Sequence, residues 1–203
     1  MLYRKIYNDL LNWKENPDKN PLIIKGLRQI GKSTIAEEFA LNEYGKENYA
    51  FLDFRKKESL KKIFAGDFNI DEIIFQLKLE FKETKFTPYK TLLIFDEIQD
   101  CPNARSSLKY FKQDGRFDVI ATGSFLGIKD YCNASRGIPV GFEDHLIMKP
   151  LDFEEFLLAD NVSKETIKFI KECAKNTKPL SMFLHDLMLN KFKTYIWVGG
   201  MPK

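Results

Sequence analysis

Gly26-Leu27-Arg28-Gln29-Ile30-Gly31-Lys32-Ser33 is the stretch whose residue types and spacing point most directly to chemistry. Glycines at both ends of a short loop let backbone N–H groups approach phosphate oxygens, a lysine directly after the second supplies charge to the outer phosphates, and the next hydroxyl can reach magnesium. The flanks agree. Pro21-Leu22-Ile23-Ile24-Lys25 reads as a buried strand, and Ile35-Ala36-Glu37-Glu38-Phe39 as a helix whose N-terminal dipole favours an anion. Residues 26–34, Thr34 included, are therefore expected to wrap a nucleotide's phosphates, with Lys32 acting on them and Ser33 on the metal.

A second candidate lies on Leu92-Leu93-Ile94-Phe95-Asp96-Glu97, an apolar strand ending in two acids. Asp96 suits the hydration shell of Mg²⁺, and Glu97 suits a base that orients or deprotonates water. A water-activating acid beside the metal acid favours hydrolysis over phosphoryl transfer to another molecule. Val119-Ile120-Ala121-Thr122-Gly123-Ser124 is a third strand, ending in small polar residues; Thr122 and Ser124 are its candidates for contact with water or the terminal phosphate. For an arginine that stabilises transition-state charge at a neighbouring subunit, Arg105, Arg116 and Arg136 are available, and Arg136 in Ser135-Arg136-Gly137 is the favoured one. An ordinary solvated arginine is its competing reading.

These residues need a scaffold. Apolar runs near 21–25, 50–54, 91–95, 117–121 and 146–148 alternate with helical patterns at 2–13, 32–41, 60–64, 70–81 and 104–111. Such alternation predicts an α/β fold in which helices cover both faces of a parallel sheet. After Pro150 strands give way to helices at 153–159, 163–174 and 181–193, the first with Asp152 and Glu155 in capping-box register. The expected organisation is thus a core over 1–150, with an N-terminal helix, and a helical extension over 151–203 packed on it.

Composition narrows the classes. Hydrophobic residues at 44% with 18 phenylalanines support a packed core rather than disorder, and 32 basic against 29 acidic residues provide no bulk attraction to polyanions. Cys101, Cys132 and Cys173 are odd in number and far apart, which argues against a disulfide framework and for a reducing, cytoplasmic setting. No stretch approaches the ~18 apolar residues of a membrane span, so no membrane partner is expected. His145 and His185 lack metal-ligand company.

Together these pieces resemble the AAA+ branch of phosphate-loop ATPases, and more closely the bacterial and archaeal AAA-type ATPases whose core precedes a C-terminal domain of unknown function. The resemblance rests on the loop at 26–33, Phe95-Asp96-Glu97-Ile98-Gln99, Ala121-Thr122-Gly123-Ser124, Pro150-Leu151-Asp152-Phe153-Glu154-Glu155-Phe156, and Val198-Gly199-Gly200-Met201-Pro202. It implies a three-layer phosphate-loop NTPase fold, ATP and Mg²⁺ as ligands, and self-association through subunit contacts. It also implies a truncation before a restriction-endonuclease-like domain, through which a nucleic acid or protein partner could act. Leu27 stands where many relatives have proline, and Phe142 where many have a basic residue.

The function expected is an ATP-hydrolysing module that drives or gates such a domain. A nucleotide-gated switch with little turnover and a small-molecule kinase are the alternatives. A GTPase is disfavoured because no N-K-x-D motif occurs; Asn190-Lys191-Phe192-Lys193 lacks the acid.

Overall fold

The computed structural model of the chain describes residues 2–124 and 141–202. Five strands, β1 (Leu22–Gly26), β2 (Tyr49–Asp53), β3 (Leu92–Asp96), β4 (Asp118–Ser124) and β5 (Asp144–Met148), form one sheet in the order β2-β3-β4-β1-β5. Every neighbouring pair is parallel. Parallel pairing demands long crossovers, and these are the helices α2 (Lys32–Glu43), α3 (Glu58–Ile63), α4 (Ile70–Glu80) and α5 (Pro102–Asp114). The chain has the three-layer α/β architecture that its alternating pattern predicts.

Strand alternation divides the core in two. Ile23, Leu93, Phe95, Val119 and Ala121 pack with Leu60, Ile73, Leu77, Leu108 and Phe111 from α3, α4 and α5. Leu22, Ile24, Leu92, Ile94 and Ile120 face the other way, against Ile35 and Phe39 of α2 and against Ile6, Leu10 and Trp13 of α1 (Ile6–Glu15). Burial of each such side chain contributes about 1.5–3 kcal/mol, so both faces are fastened along the whole sheet. Any even-numbered residue at the C-terminal ends of β1, β3 and β4 therefore lies on the α2 face.

Two compact units divide the chain, one of residues 6–148 and one of residues 2–5 with 149–202. In the second, α6 (Phe153–Ala159) starts at the predicted capping box: Asp152 Oδ1 accepts the Glu155 N–H at 2.8 Å, and Glu155 Oε2 accepts the Asp152 N–H at 3.1 Å. The Glu155 carboxylate also accepts the Lys5 N–H at 2.7 Å and pairs with the buried Arg4 guanidinium. That engagement explains why α1 begins at Ile6, whereas apolar spacing from Leu2 predicts an earlier start.

Two further helices, α7 (Lys164–Lys175) and α8 (Met182–Val198), complete this unit. Phe153 and Phe156 of α6 meet Tyr195 of α8 at ring-centroid distances of 5.6 and 5.3 Å. Gly199 ends α8 at φ 71°, a conformation that favours glycine. The next residue, Gly200, lies so close to Leu151 that an added Cβ would sit 2.2 Å from its carbonyl oxygen. Among the described residues no helix is long and apolar enough to cross a membrane.

Candidate functional site

The loop from Gly26 to Ser33 leaves β1 at its C-terminal end and enters α2. Its glycines have separate physical reasons. A Cβ at Gly26 would lie 2.5 Å from both the Met148 carbonyl oxygen and Ile30 Cδ1, while Gly31 adopts φ 90°. Gln29 also has positive φ, 62°, a strained conformation for a residue with a side chain. Ile30 is fully buried and anchors the loop, whereas Leu27, Arg28 and Gln29 are exposed. The Gly31 carbonyl accepts the Ile35 N–H at 2.9 Å. That bond begins the helical ladder, so the amides of Lys32, Ser33 and Thr34 belong to the first turn, whose N–H groups have no intrahelical acceptor.

Lys32 is buried, and its Nζ donates to the Leu27 carbonyl at 2.6 Å and the Gly26 carbonyl at 3.4 Å. Burial lowers its pKa, opposed by the charges of Glu97 and Asp96 and assisted by that of Arg28. Thr34 is exposed at the start of α2, and Ser33 is half-buried.

Asp96, the last residue of β3, shares the α2 face with Ile94. Its carboxylate is buried and accepts a hydrogen bond from the Thr122 hydroxyl at 2.6 Å, and the Ser33 hydroxyl lies near enough to favour its charged form. Desolvation raises its pKa, and these two hydroxyls pull the other way. Thr122 Oγ1 also accepts the Glu97 N–H at 3.2 Å. One hydroxyl therefore ties the Asp96 side chain to the Glu97 backbone. Ser124 is buried beside Gly26 in the β1–β4 register, at the root of the loop. β4 can bring both polar residues here because it lies between β1 and β3.

Glu97 has left-handed backbone angles, φ 53° and ψ 52°, which turn it out of the strand direction. Its carboxylate pairs with the Arg55 guanidinium at 3.4 Å and accepts a hydrogen bond from Gln99 Nε2. Arg55 also reaches Asp100, at 3.1 Å. Sequence reasoning assigned no role to Arg55 or Gln99. Gln99 stands two residues past Glu97, and Arg55 two residues past the end of β2, the strand that neighbours β3; a polar residue at that strand end was the available signal.

Other sequence candidates lie elsewhere. Arg105 is buried against Glu143, with both side chains 5% exposed and their nearest atoms 2.6 Å apart, so it is enclosed and not a projecting cation. Arg116 pairs with Asp114 and Asp71. Arg136 falls outside the described residues. Phe142 lies beneath Lys109, whose Nζ is 5.4 Å from its ring centroid.

The site's hard oxygen donors, the Ser33 hydroxyl and Asp96 carboxylate, match what Mg²⁺ takes with water completing its shell. The loop, with its glycine cradle and lysine, matches a polyphosphate. No curated protein matches the chain. A family model described as an AAA domain matches residues 18–157, more than half of the length, and the chain belongs to the AAA domain family, whose members are nucleotide-binding modules of ATPase type.

Proposed function

We propose that the chain binds ATP with Mg²⁺ at this loop and hydrolyses it at the β–γ phosphoanhydride bond. The observation that carries the reading is the convergence of the loop on Asp96: a buried carboxylate, hydrogen-bonded by Thr122, with the loop's Ser33 hydroxyl close by and the buried Lys32 within its electrostatic reach. A buried charge with these companions is costly to maintain unless it serves a ligand or a structural partner.

Each residue then has a task. The amides of residues 26–34 bind the phosphates, and the Lys32 ammonium exchanges its bonds to the Leu27 and Gly26 carbonyls for bonds to phosphate oxygens. Ser33 and Asp96 hold the metal, Asp96 through water; bound Mg²⁺ supplies charge neutralisation to the phosphates. Thr122 orients Asp96 and Glu97, and Ser124 contacts the attacking water. Glu97 accepts a proton from that water as its oxygen attacks the γ-phosphorus. The P–O bond to the β-phosphate breaks, and ADP leaves with the bonding electron pair.

The test is turnover by Lys32→Ala and Glu97→Gln. Loss of a general base costs about 10²–10⁴-fold, so Glu97→Gln is expected to retain ATP binding while turnover drops by that order, and Lys32→Ala to weaken both. Unchanged turnover in both variants would overturn the assignment. The clamp of Arg55 and Gln99 on Glu97 favours a second reading, in which ATP acts mainly as a conformational switch. That reading is supported if wild type and Glu97→Gln turn over equally slowly while ATP and ADP bind with different affinities.

A further inference from the structure

We infer that α7 carries a binding surface for single-stranded nucleic acid. Lys164, Lys168, Lys171 and Lys175 recur at i, i+4, i+7 and i+11, which places all four ammonium groups on one side of the helix. All four are exposed. At 1.5 Å per residue the row is roughly 16 Å long. Of the buried residues of α7, Cys173 lies on the opposite side of the helix from the row and Ile167 borders it, so the row runs along the edge of the helix's packed face with its ammonium groups exposed. Among the described residues Lys168 and Lys175 make no ion pair.

A groove of about 260 Å³ runs beside the N-terminal half of this row, lined by Tyr3, Glu154, Leu158, Ile167 and three of the lysines. Lys164 Nζ lies 5.0 Å from the Tyr3 ring centroid. The acid in the groove is already matched: Glu154 pairs with Lys171 and with Lys5, each at 2.6 Å. Hydrogen bonds from these two lysines hold its carboxyl below the usual range. Glu154 therefore opposes a polyanion little, and Lys164, Lys168 and Lys175 remain for phosphates.

A charge row that tracks a phosphodiester backbone, next to an aromatic ring and a concave apolar floor, is the combination that holds single strands, because every base offers a face for stacking. An anionic membrane fits less well. Membrane-surface helices set exposed apolar side chains opposite a basic face that borders the headgroups. On α7 the row is flanked by the buried Ile167 and the acids Glu165 and Glu172, Phe169 is the single large apolar side chain exposed on the helix and does not make an apolar face, and a flat bilayer has no feature to enter the groove. This inference concerns residues remote in sequence from the phosphate loop and stands or falls independently of ATP hydrolysis.

The experiment is fluorescence anisotropy with labelled DNA and RNA strands of about 12 nucleotides and a DNA duplex of equal length, across a salt series, using the full 203-residue chain. Wild type is expected to bind both single strands more tightly than the duplex. Each phosphate contact contributes a slope of about −0.7 in log K against log salt. Lys168→Glu with Lys175→Glu is therefore expected to reduce the slope's magnitude by about 1.4 and to lower affinity at least tenfold, and Tyr3→Ala to lower it at unchanged slope. Lys62→Glu with Lys78→Glu makes the same change in net charge on exposed residues of α3 and α4 and is expected to leave binding intact. The inference is overturned if no strand binds, if the α3/α4 variant loses as much as the α7 variant, or if phosphatidylserine vesicles bind through these lysines while oligonucleotides do not.

Discussion

Replacing Thr122 with valine tests the construction of the site without any nucleotide present. The hydroxyl donates to Asp96 Oδ1 at 2.6 Å and accepts the Glu97 N–H at 3.2 Å, and Thr122 is fully buried. A hydrogen bond to a charged group contributes about 1.5–3 kcal/mol, and a buried N–H left without its acceptor costs about 1–3 kcal/mol. Glu97 is only partly buried, which places the second figure at its lower end. Thr122→Val is thus expected to destabilise the nucleotide-free protein by about 2–4 kcal/mol, seen in urea as a lower midpoint at constant slope. Thr122→Ser, which keeps the hydroxyl, is expected to recover most of that loss. Without the Thr122 donor the raised pKa of Asp96 rises further, so the acid limb of any turnover profile moves to higher pH. A valine variant within about 0.5 kcal/mol of wild type, yet defective in ATP binding, would refute this reasoning and assign the hydroxyl to the nucleotide.

Arg55→Ala releases one restraint on Glu97. The pair is half-exposed on the arginine side and 3.4 Å long, so its coupling is about 1 kcal/mol or less, and basal ATP turnover is expected to rise by up to about fivefold; a steady-state assay showing a fall would assign Arg55 to the reaction instead. Gly200→Ala forces a Cβ to 2.2 Å from the Leu151 carbonyl oxygen and 3.1 Å from its nitrogen. It is expected to cost about 3 kcal/mol in denaturant unfolding, while Gly66→Ala, whose Cβ meets nothing within 4 Å, stays within about 0.5 kcal/mol. Glu154 titrates below its ordinary value because of Lys171 and Lys5, so its contribution to stability is present above about pH 4.3 and disappears as pH falls through the lower folded value. An NMR titration of its carboxyl carbon is expected to show that depressed midpoint, moving upward in Lys171→Met.

How much of this was legible depends on how far apart the cooperating residues lie. The phosphate loop is contiguous: its glycines, lysine and serine follow each other between a strand and a helix, so local rules suffice to read it, and the close approach at Gly26 and positive φ at Gly31 supply the reasons in three dimensions. The alternation of strands and helices likewise implies the covered parallel sheet, because the period of apolar residues follows local geometry. The capping box at Asp152 is equally short-ranged.

Strand order is a different kind of fact. Only packing places β4 between β1 and β3, and that placement brings the Thr122 hydroxyl to Asp96 and Ser124 to the loop's root. The clamp of Arg55 on Glu97 arises because β2 pairs with β3, and Arg105, which looked available as a surface cation, is enclosed by Glu143 from a distant segment. The stretches 150–156 and 198–202, separate signals along the chain, meet where Gly200 packs on Leu151. Sequence by itself determined the chemical groups and the local turns that present them. Tertiary structure alone decided which charges neutralise one another, because electrostatic and hydrogen-bond partners are set by distance through space and not by spacing along the backbone.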